Sequence, residues 1–253
     1  MIQLQINDLS LSFGGIKALI NISLSIEKGV LYAIIGPNGA GKTALLNCIN
    51  GVYHPDSGEI FFEGQNLLGM KPHEIARLGI GRTFQNVELF RNMTVIENLL
   101  LGRHCHFKSG LIKGGLQGYF NNEEMDNRRK VEEIIDFLEM ERWRKWLVKN
   151  LPYGVQKRVE LGRALAMEPR LLLLDEPTSG MNVEETEDIA RFILDIHEEI
   201  GTTIVMIEHD MGVVMDISER VAVLDFGNKI SEGPPEVIQR DKKVIRAYLG
   251  EEQ

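Results

Sequence analysis

A chain of 253 residues, 43% of them hydrophobic, can build one large α/β domain, or one domain with a subdomain, around its own core. The net charge of −9 argues against nucleic-acid binding by the chain as a whole, and two cysteines without framework spacing, Cys48 and Cys105, fit a reducing compartment. The opening Met1–Asp8 lacks the charged-then-apolar form of a secretion signal, and no apolar run reaches the ~20 residues that span a bilayer. A soluble chain is expected, with any membrane role supplied through a partner.

Ile2, Leu4 and Ile6 alternate with polar residues, as in a half-buried strand, and Ile22, Leu24 and Ile26 repeat the pattern. Leu31–Ile35 is a continuous apolar run, which predicts a central strand buried on both faces. A helix follows with Leu45, Leu46 and Ile49 inward and Gly51 at its end. Glu59–Phe62 reads as an antiparallel strand. From about Leu89 to Ala166 helical periodicity dominates. Asn121 or Asn122 is placed to cap a helix whose inner face is Val131, Ile134, Ile135 and Leu138, with Asn127–Glu133 on its solvated side. Arg103–Phe120 has no clear period and reads as a long loop or broken insertion. Leu171–Leu174 is a buried strand, followed by a helix burying Ile189, Phe192, Ile193, Ile196 and Ile200 and ending at Gly201. Ile204–Ile207 is a further buried strand, Val221–Leu224 and Lys229–Ser231 a hairpin, and Lys242–Tyr248 a surface helix. This order predicts an α/β fold with a mostly parallel core sheet, an antiparallel β flank and an inserted α-helical subdomain.

Gly36-Pro-Asn-Gly-Ala-Gly-Lys-Thr43 is G-x-x-x-x-G-K-T between a buried strand and a helix, the context that gives the pattern its meaning. Glycines let the loop wrap closely so that backbone N–H groups face phosphate oxygens, and the following helix adds its N-terminal partial charge. Gly36, Pro37, Asn38, Gly39, Ala40, Gly41, Lys42, Thr43 and Ala44 therefore form the expected nucleotide-phosphate site. Lys42 is expected on the β and γ phosphates and the Thr43 hydroxyl on Mg²⁺. Leu171-Leu-Leu-Leu-Asp-Glu176 is the second half of such a site. Asp175, at the end of a buried strand, is expected to hold Mg²⁺, and Glu176 to polarise the attacking water. Together the two motifs read as a P-loop NTPase using ATP and Mg²⁺. His104-Cys105-His106, three adjacent ligand types without a fourth, make a poor metal site. Trp143 and Trp146 read as packing or partner-facing surface.

The rest of the chain resembles one NTPase family. Leu151-Pro-Tyr-Gly-Val-Gln-Lys-Arg158 is similar to the signature motif of ABC ATPases, usually Leu-Ser-Gly-Gly-Gln. Gln85, after a short strand, resembles their Q-loop glutamine. His209 resembles their switch histidine, Phe13 their adenine-stacking aromatic, and Ser179–Asn182 their D-loop. The features stand in the family's order and cover nearly the whole chain. The resemblance implies a single ABC ATPase domain over 1–253, with 1–88 and 167–253 as core plus β subdomain and 89–166 as the helical subdomain. It implies catalysis by Glu176, His209 and Gln85, a metal held by Thr43, Gln85 and Asp175, and a γ-phosphate contact from the Gly154 N–H of a second chain bound head to tail. Pro152 stands where the usual signature serine is, and it has neither hydroxyl nor N–H. That predicts a weaker half-site, and unequal ATP sites beside a different partner subunit.

The Leu-x-Tyr-Gly-x-Gln signature, Gly180-Met-Asn182 and the ending Val244–Gly250 further resemble the ATPases of branched-chain (hydrophobic) amino-acid importers and of the related urea and amide systems. The resemblance implies a second ATPase subunit and membrane permeases as partners, a solute-binding protein acting indirectly, no nucleic acid, and a place on the cytoplasmic face of the cell membrane. The rival readings are the motor of a lipid or lipopolysaccharide exporter and a soluble, non-transport ABC ATPase.

Overall fold

A computed structural model describes residues 1–85, 87–106 and 117–249, with the side chains of 105, 106, 117–123 and 249 outside the description. In chain order the elements are β1 (Ile2–Phe13), β2 (Ile16–Glu27), β3 (Leu31–Ile35), α1 (Lys42–Ile49), β4 (Ser57–Phe62), β5 (Gln65–Asn66), α2 (Pro72–Arg77), β6 (Ile80–Arg82), α3 (Val95–Gly102), α4 (Gln117–Phe137) and α5 (Tyr153–Leu165). They continue with β7 (Leu171–Asp175), α6 (Val183–Asp195), β8 (Thr203–Ile207), α7 (Met211–Ile217), β9 (Arg220–Asp225), β10 (Asn228–Gly233), α8 (Pro235–Ile238) and α9 (Lys242–Leu249). The chain divides into two compact units, residues 1–80 with 170–253, and residues 81–169.

The first unit is built on two sheets. One is antiparallel, in the order β2-β1-β4-β5. The other runs β10-β9-β3-β8-β7-β6, with β9, β3, β8 and β7 mutually parallel and β10 antiparallel to β9. The parallel strands β3, β7 and β8 are buried along their whole length, as their unbroken apolar runs require. One continuous core joins Leu4 and Ile6 of β1, Ile34 of β3, Leu46 of α1, Leu173 of β7, Val205 of β8 and Leu224 of β9. Each such side chain contributes about 1.5–3 kcal/mol by leaving water. The alternation of β1 holds over Leu4–Ile6 and again over Leu9–Leu11, with its phase changed by an irregularity at Asp8, φ +46°; a further register shift separates Ile2 from Leu4, so Ile2 is exposed and Gln3 buried. The expected α/β class, with a mostly parallel sheet and an antiparallel flank, is the observed one.

The second unit is helical. Gly162 of α5 has no side chain to hold off Leu99 of α3, Ile134 of α4 and Leu138 just after α4, and a Cβ there would already lie 3.1 Å from Leu138. Helix α4 starts at Gln117, so neither Asn121 nor Asn122 is its cap. A lone Gly118 costs only about 1 kcal/mol and does not stop a helix. Asn127, expected on the solvated side, is buried because its Oδ1 accepts from Arg103 Nε at 2.9 Å. Arg103 also donates to the Ala166 carbonyl and pairs with Glu168, so the start of the expected loop is an anchor. Most of that expected 103–120 loop, the side chains of Cys105 and His106, and residues 250–253 lie outside the described residues. A further correction falls in the first unit, at the end of α6. Ile196–Ile200 form a π-helical turn, whose wider winding rotates Ile200 out of the apolar face and leaves it exposed. Among the described residues no helix is long and apolar enough to cross a membrane.

Candidate functional site

The loop between β3 and α1 is shaped by contacts that only glycine tolerates. A Cβ on Gly36 would sit 2.0 Å from the Leu224 carbonyl oxygen. One on Gly41 would sit 2.4 Å from the Ala18 carbonyl oxygen, and Gly41 carries a φ of +103°. Gly41 is also the N-cap of α1 and offers no side chain to cap it, which leaves the helix N-terminus as an anion-facing end. The turn between β9 and β10 braces this loop, because Gly227 N–H donates to the Ala40 carbonyl at 3.1 Å.

Lys42 is buried, and its Nζ donates to the carbonyls of Gly36 at 2.7 Å and Pro37 at 3.0 Å. Burial pulls its pKa below the ordinary lysine value, and the carboxylates of Glu176 and Asp175 work against that shift. Lys42 therefore lies in the field of both acids, from motifs more than 130 residues apart. Asp175 closes β7 and is buried. Glu176 follows in the left-handed region, φ +49°, with its N–H bonded to the Ile207 carbonyl of β8 at 2.9 Å. That bond turns the chain across the sheet end.

His209 stands two residues beyond β8. Its side chain is 56% exposed, and Nδ1 lies 3.7 Å from Glu176 Oε2 and 3.9 Å from Glu208 Oε2. It is not a buried structural histidine. Glu208, to which the sequence reading gave no role, is fully buried and accepts from Thr178 N and Oγ1 and from the N–H groups of His209 and Asp210. The available signal was its place: a carboxylate directly after a buried apolar run needs donors around it. Phe13, at the end of β1, is 48% exposed and meets Tyr53 edge to face, with ring centroids 5.1 Å apart. It is not core.

In the helical unit, α5 opens at Tyr153 with Pro152 as its N-cap, and Gln156 N–H makes the first helical bond to the Pro152 carbonyl at 3.0 Å. Pro152 and Tyr153 are exposed, and Gly154 is buried. The same helix holds the Gln85 segment. Lys157 Nζ donates to the Gln85 carbonyl at 2.9 Å, and Glu160 Oε1 accepts from Phe84 N–H at 3.2 Å. Lys157 and Glu160 lie 3.8 Å apart with side chains 3% and 2% exposed. Burial pushes the Glu160 carboxyl above the usual carboxylate range, and Lys157 and the Phe84 N–H pull it back. Trp143 and Trp146 meet edge to face at 4.8 Å, Arg142 covers Trp143, and Trp146 is exposed.

Residues 19–179, which include the Gly36–Thr43 loop, the 151–158 segment and the Asp175-Glu176 end of β7, match the family model described as ABC transporter. The chain belongs to the ABC transporter family. Residues 228–253 of this ABC chain match a second model, described as branched-chain amino acid ATP-binding cassette transporter. It is 42% identical to the high-affinity branched-chain amino acid transport ATP-binding protein LivG of Escherichia coli strain K12, over 98% of each chain. It is 38% identical to the corresponding BraF of Pseudomonas aeruginosa, again over 98% of each. A solved ADP conformation of an ATP-binding cassette of an ABC transporter superposes with a TM-score of 0.85 at 32% identity, covering 99% of this chain and all of that one. Set against Leu-Ser-Gly-Gly-Gln, the ABC signature here departs at three positions. Besides Pro152 and Tyr153, the final glutamine is replaced by Val155, a buried residue of α5.

Proposed function

We propose that this ABC chain is the ATP-hydrolysing motor subunit of a membrane importer for branched-chain or other hydrophobic amino acids. The observation that carries the ATPase reading is the meeting of Glu176 and His209 at 3.7 Å, at the ends of adjacent strands, with Glu176 in the field of Lys42. The solute class rests on the likeness to LivG and BraF along the whole chain.

Phe13 presents an exposed ring for the adenine. The loop from Gly36 to Gly41, with the N–H groups of Lys42, Thr43 and Ala44 at the start of α1, surrounds the phosphates. Lys42, now folded onto the Gly36 and Pro37 carbonyls, exchanges those acceptors for β and γ phosphate oxygens. Thr43 and Asp175 offer a hydroxyl and a carboxylate, hard oxygen donors of the kind Mg²⁺ takes, and Gln85 is assigned to the same ion on the family resemblance. Mg²⁺ bound there would neutralise charge developing on the phosphates. Glu176 accepts the proton of the attacking water, and His209 orients that water and the γ phosphate. Residues 89–166 act as the helical subdomain that carries the signature and meets the permease. The partners are a second ABC ATPase subunit bound head to tail and membrane permeases, with a solute-binding protein acting through them, at the cytoplasmic face of the membrane. The signature of this chain, lacking the serine donor at Pro152, makes the weaker of two ATP half-sites.

Glu176→Gln keeps the shape and removes the base. ATP hydrolysis is expected to fall by about 100-fold or more with nucleotide affinity retained. Vesicles holding the assembled complex should lose ATP-driven leucine uptake in parallel. Turnover that survives in the variant, or uptake indifferent to branched-chain solutes, would refute the reading.

A further inference from the structure

We propose that Glu208 is a positioning residue that sets the distance between Glu176 and His209, an inference that rests on the roles given to those two residues above. Its carboxylate is fully buried, yet the only ionisable nitrogen within 4 Å among the described contacts is the exposed His209 ring at 3.9 Å. Charge burial is instead offset by four donors from two separate segments. Oε1 accepts from Thr178 N–H at 2.9 Å and from the Thr178 hydroxyl at 2.6 Å. Oε2 accepts from His209 N–H at 3.0 Å and Asp210 N–H at 3.4 Å.

One oxygen thus holds the turn after Glu176, and the other holds the backbone of His209. Between Glu176 and Thr178 stands Pro177, whose ring fixes φ, so pinning the Thr178 N–H limits where Glu176 can sit. Ser179 N–H closes the same turn onto the Glu176 carbonyl at 3.2 Å. On the other side Asp210 is committed to capping α7, accepting from Gly212 and Val213 N–H. His209 is therefore fixed at its own N–H and at the next residue. A neutral side chain of the same length would lack acceptors for one of the two segments.

The test uses the full chain in its assembled complex, with Glu208→Gln, His209→Ala and the two combined. Glu208→Gln retains one acceptor oxygen, so the fold is expected to persist, and thermal unfolding checks that. Expected is a fall in kcat of between about tenfold and a hundredfold, as for a misplacement of about 1 Å, with KM for ATP unchanged. The combined variant should be slower than His209→Ala alone by less than the full Glu208→Gln loss, because part of that loss acts through the histidine and part through Glu176. A lowered melting temperature with unchanged kcat, or losses that multiply in the combined variant, would overturn the proposal. A silent His209→Ala would overturn the role of His209 itself, and the proposal with it.

Discussion

Gly36 and Gly41 bound the loop between β3 and α1, and each abuts a carbonyl of a different strand, Leu224 of β9 and Ala18 of β2. The motif reading asked for glycine so that the loop could approach phosphate. The structure adds that glycine is equally required for the loop to approach its own sheet. Gly41→Ala is expected to cost about 3 kcal/mol, from the positive φ and from the methyl at 2.4 Å from Ala18 O. Chemical denaturation of the nucleotide-free chain measures it, and a loss seen only in ATP affinity would contradict the packing argument. Lys42, Asp175, Glu176 and His209 were all legible as residues, because each stands at a strand end or loop start that pattern alone locates. Glu208 was not, because its value lies in Thr178 and Asp210, whose approach depends on two strands being neighbours.

Helix α5 carries the signature-like turn and, one turn on, the buried Lys157–Glu160 pair. Glu160→Leu removes the carboxylate beside the buried Lys157 ammonium, which keeps its bond to the Gln85 carbonyl, and is expected to cost about 3 kcal/mol. Lys157→Met/Glu160→Leu should be more stable than Glu160→Leu alone, since an apolar pair leaves no unpaired charge. Thermal unfolding of the three chains decides it. Helix α3 is started by a capping box, in which Thr94 N–H and Oγ1 both donate to Glu97 Oε2 at 2.8 Å. These donors hold the Glu97 carboxyl below its usual pKa. The folded value being depressed, this contribution is present above the unfolded glutamate pKa of about 4.3 and is lost as pH falls through the folded value. Glu97→Gln should therefore flatten the acid end of the stability profile while barely changing its shape above pH ~5, as read from melting temperature against pH. Element existence was legible from period, whereas the start of α4 and the π-helical turn after α6 were not. A lone Gly118 costs too little to stop α4 short of Gln117, and the wider turn carries Ile200 away from the core; likewise Arg103 draws Asn127 inward against its polar signal.

On the proposed reading, function at the scale of the whole molecule is shared with a second chain. Against Leu-Ser-Gly-Gly-Gln, Pro152 and Val155 lack the polar side chains that, in the proposed head-to-tail arrangement, the start of α5 would offer to a partner's nucleotide. Pro152→Ser should raise ATPase turnover in the assembled complex by a few-fold, about 1 kcal/mol for one restored hydrogen bond, with no change in the isolated chain's ATP affinity. Single-turnover hydrolysis in the complex measures this, and an unchanged rate would show that the half-site facing Pro152 does not limit the cycle.

By itself the sequence determined the fold class, the buried strands of the core sheet, and the loop and acids proposed as the nucleotide site. Those follow from local rules: apolar runs must be buried, glycines permit close backbone approach, and a carboxylate is tolerated where a buried strand ends. Only the tertiary structure decided that Glu176 and His209 stand 3.7 Å apart, that one buried carboxylate holds both their segments, and that Lys157 and Glu160 seat the backbone around Gln85. The reason is the same in each case: these contacts join residues whose separation in space is set by which strands pair and which helices pack, and no local pattern records that choice.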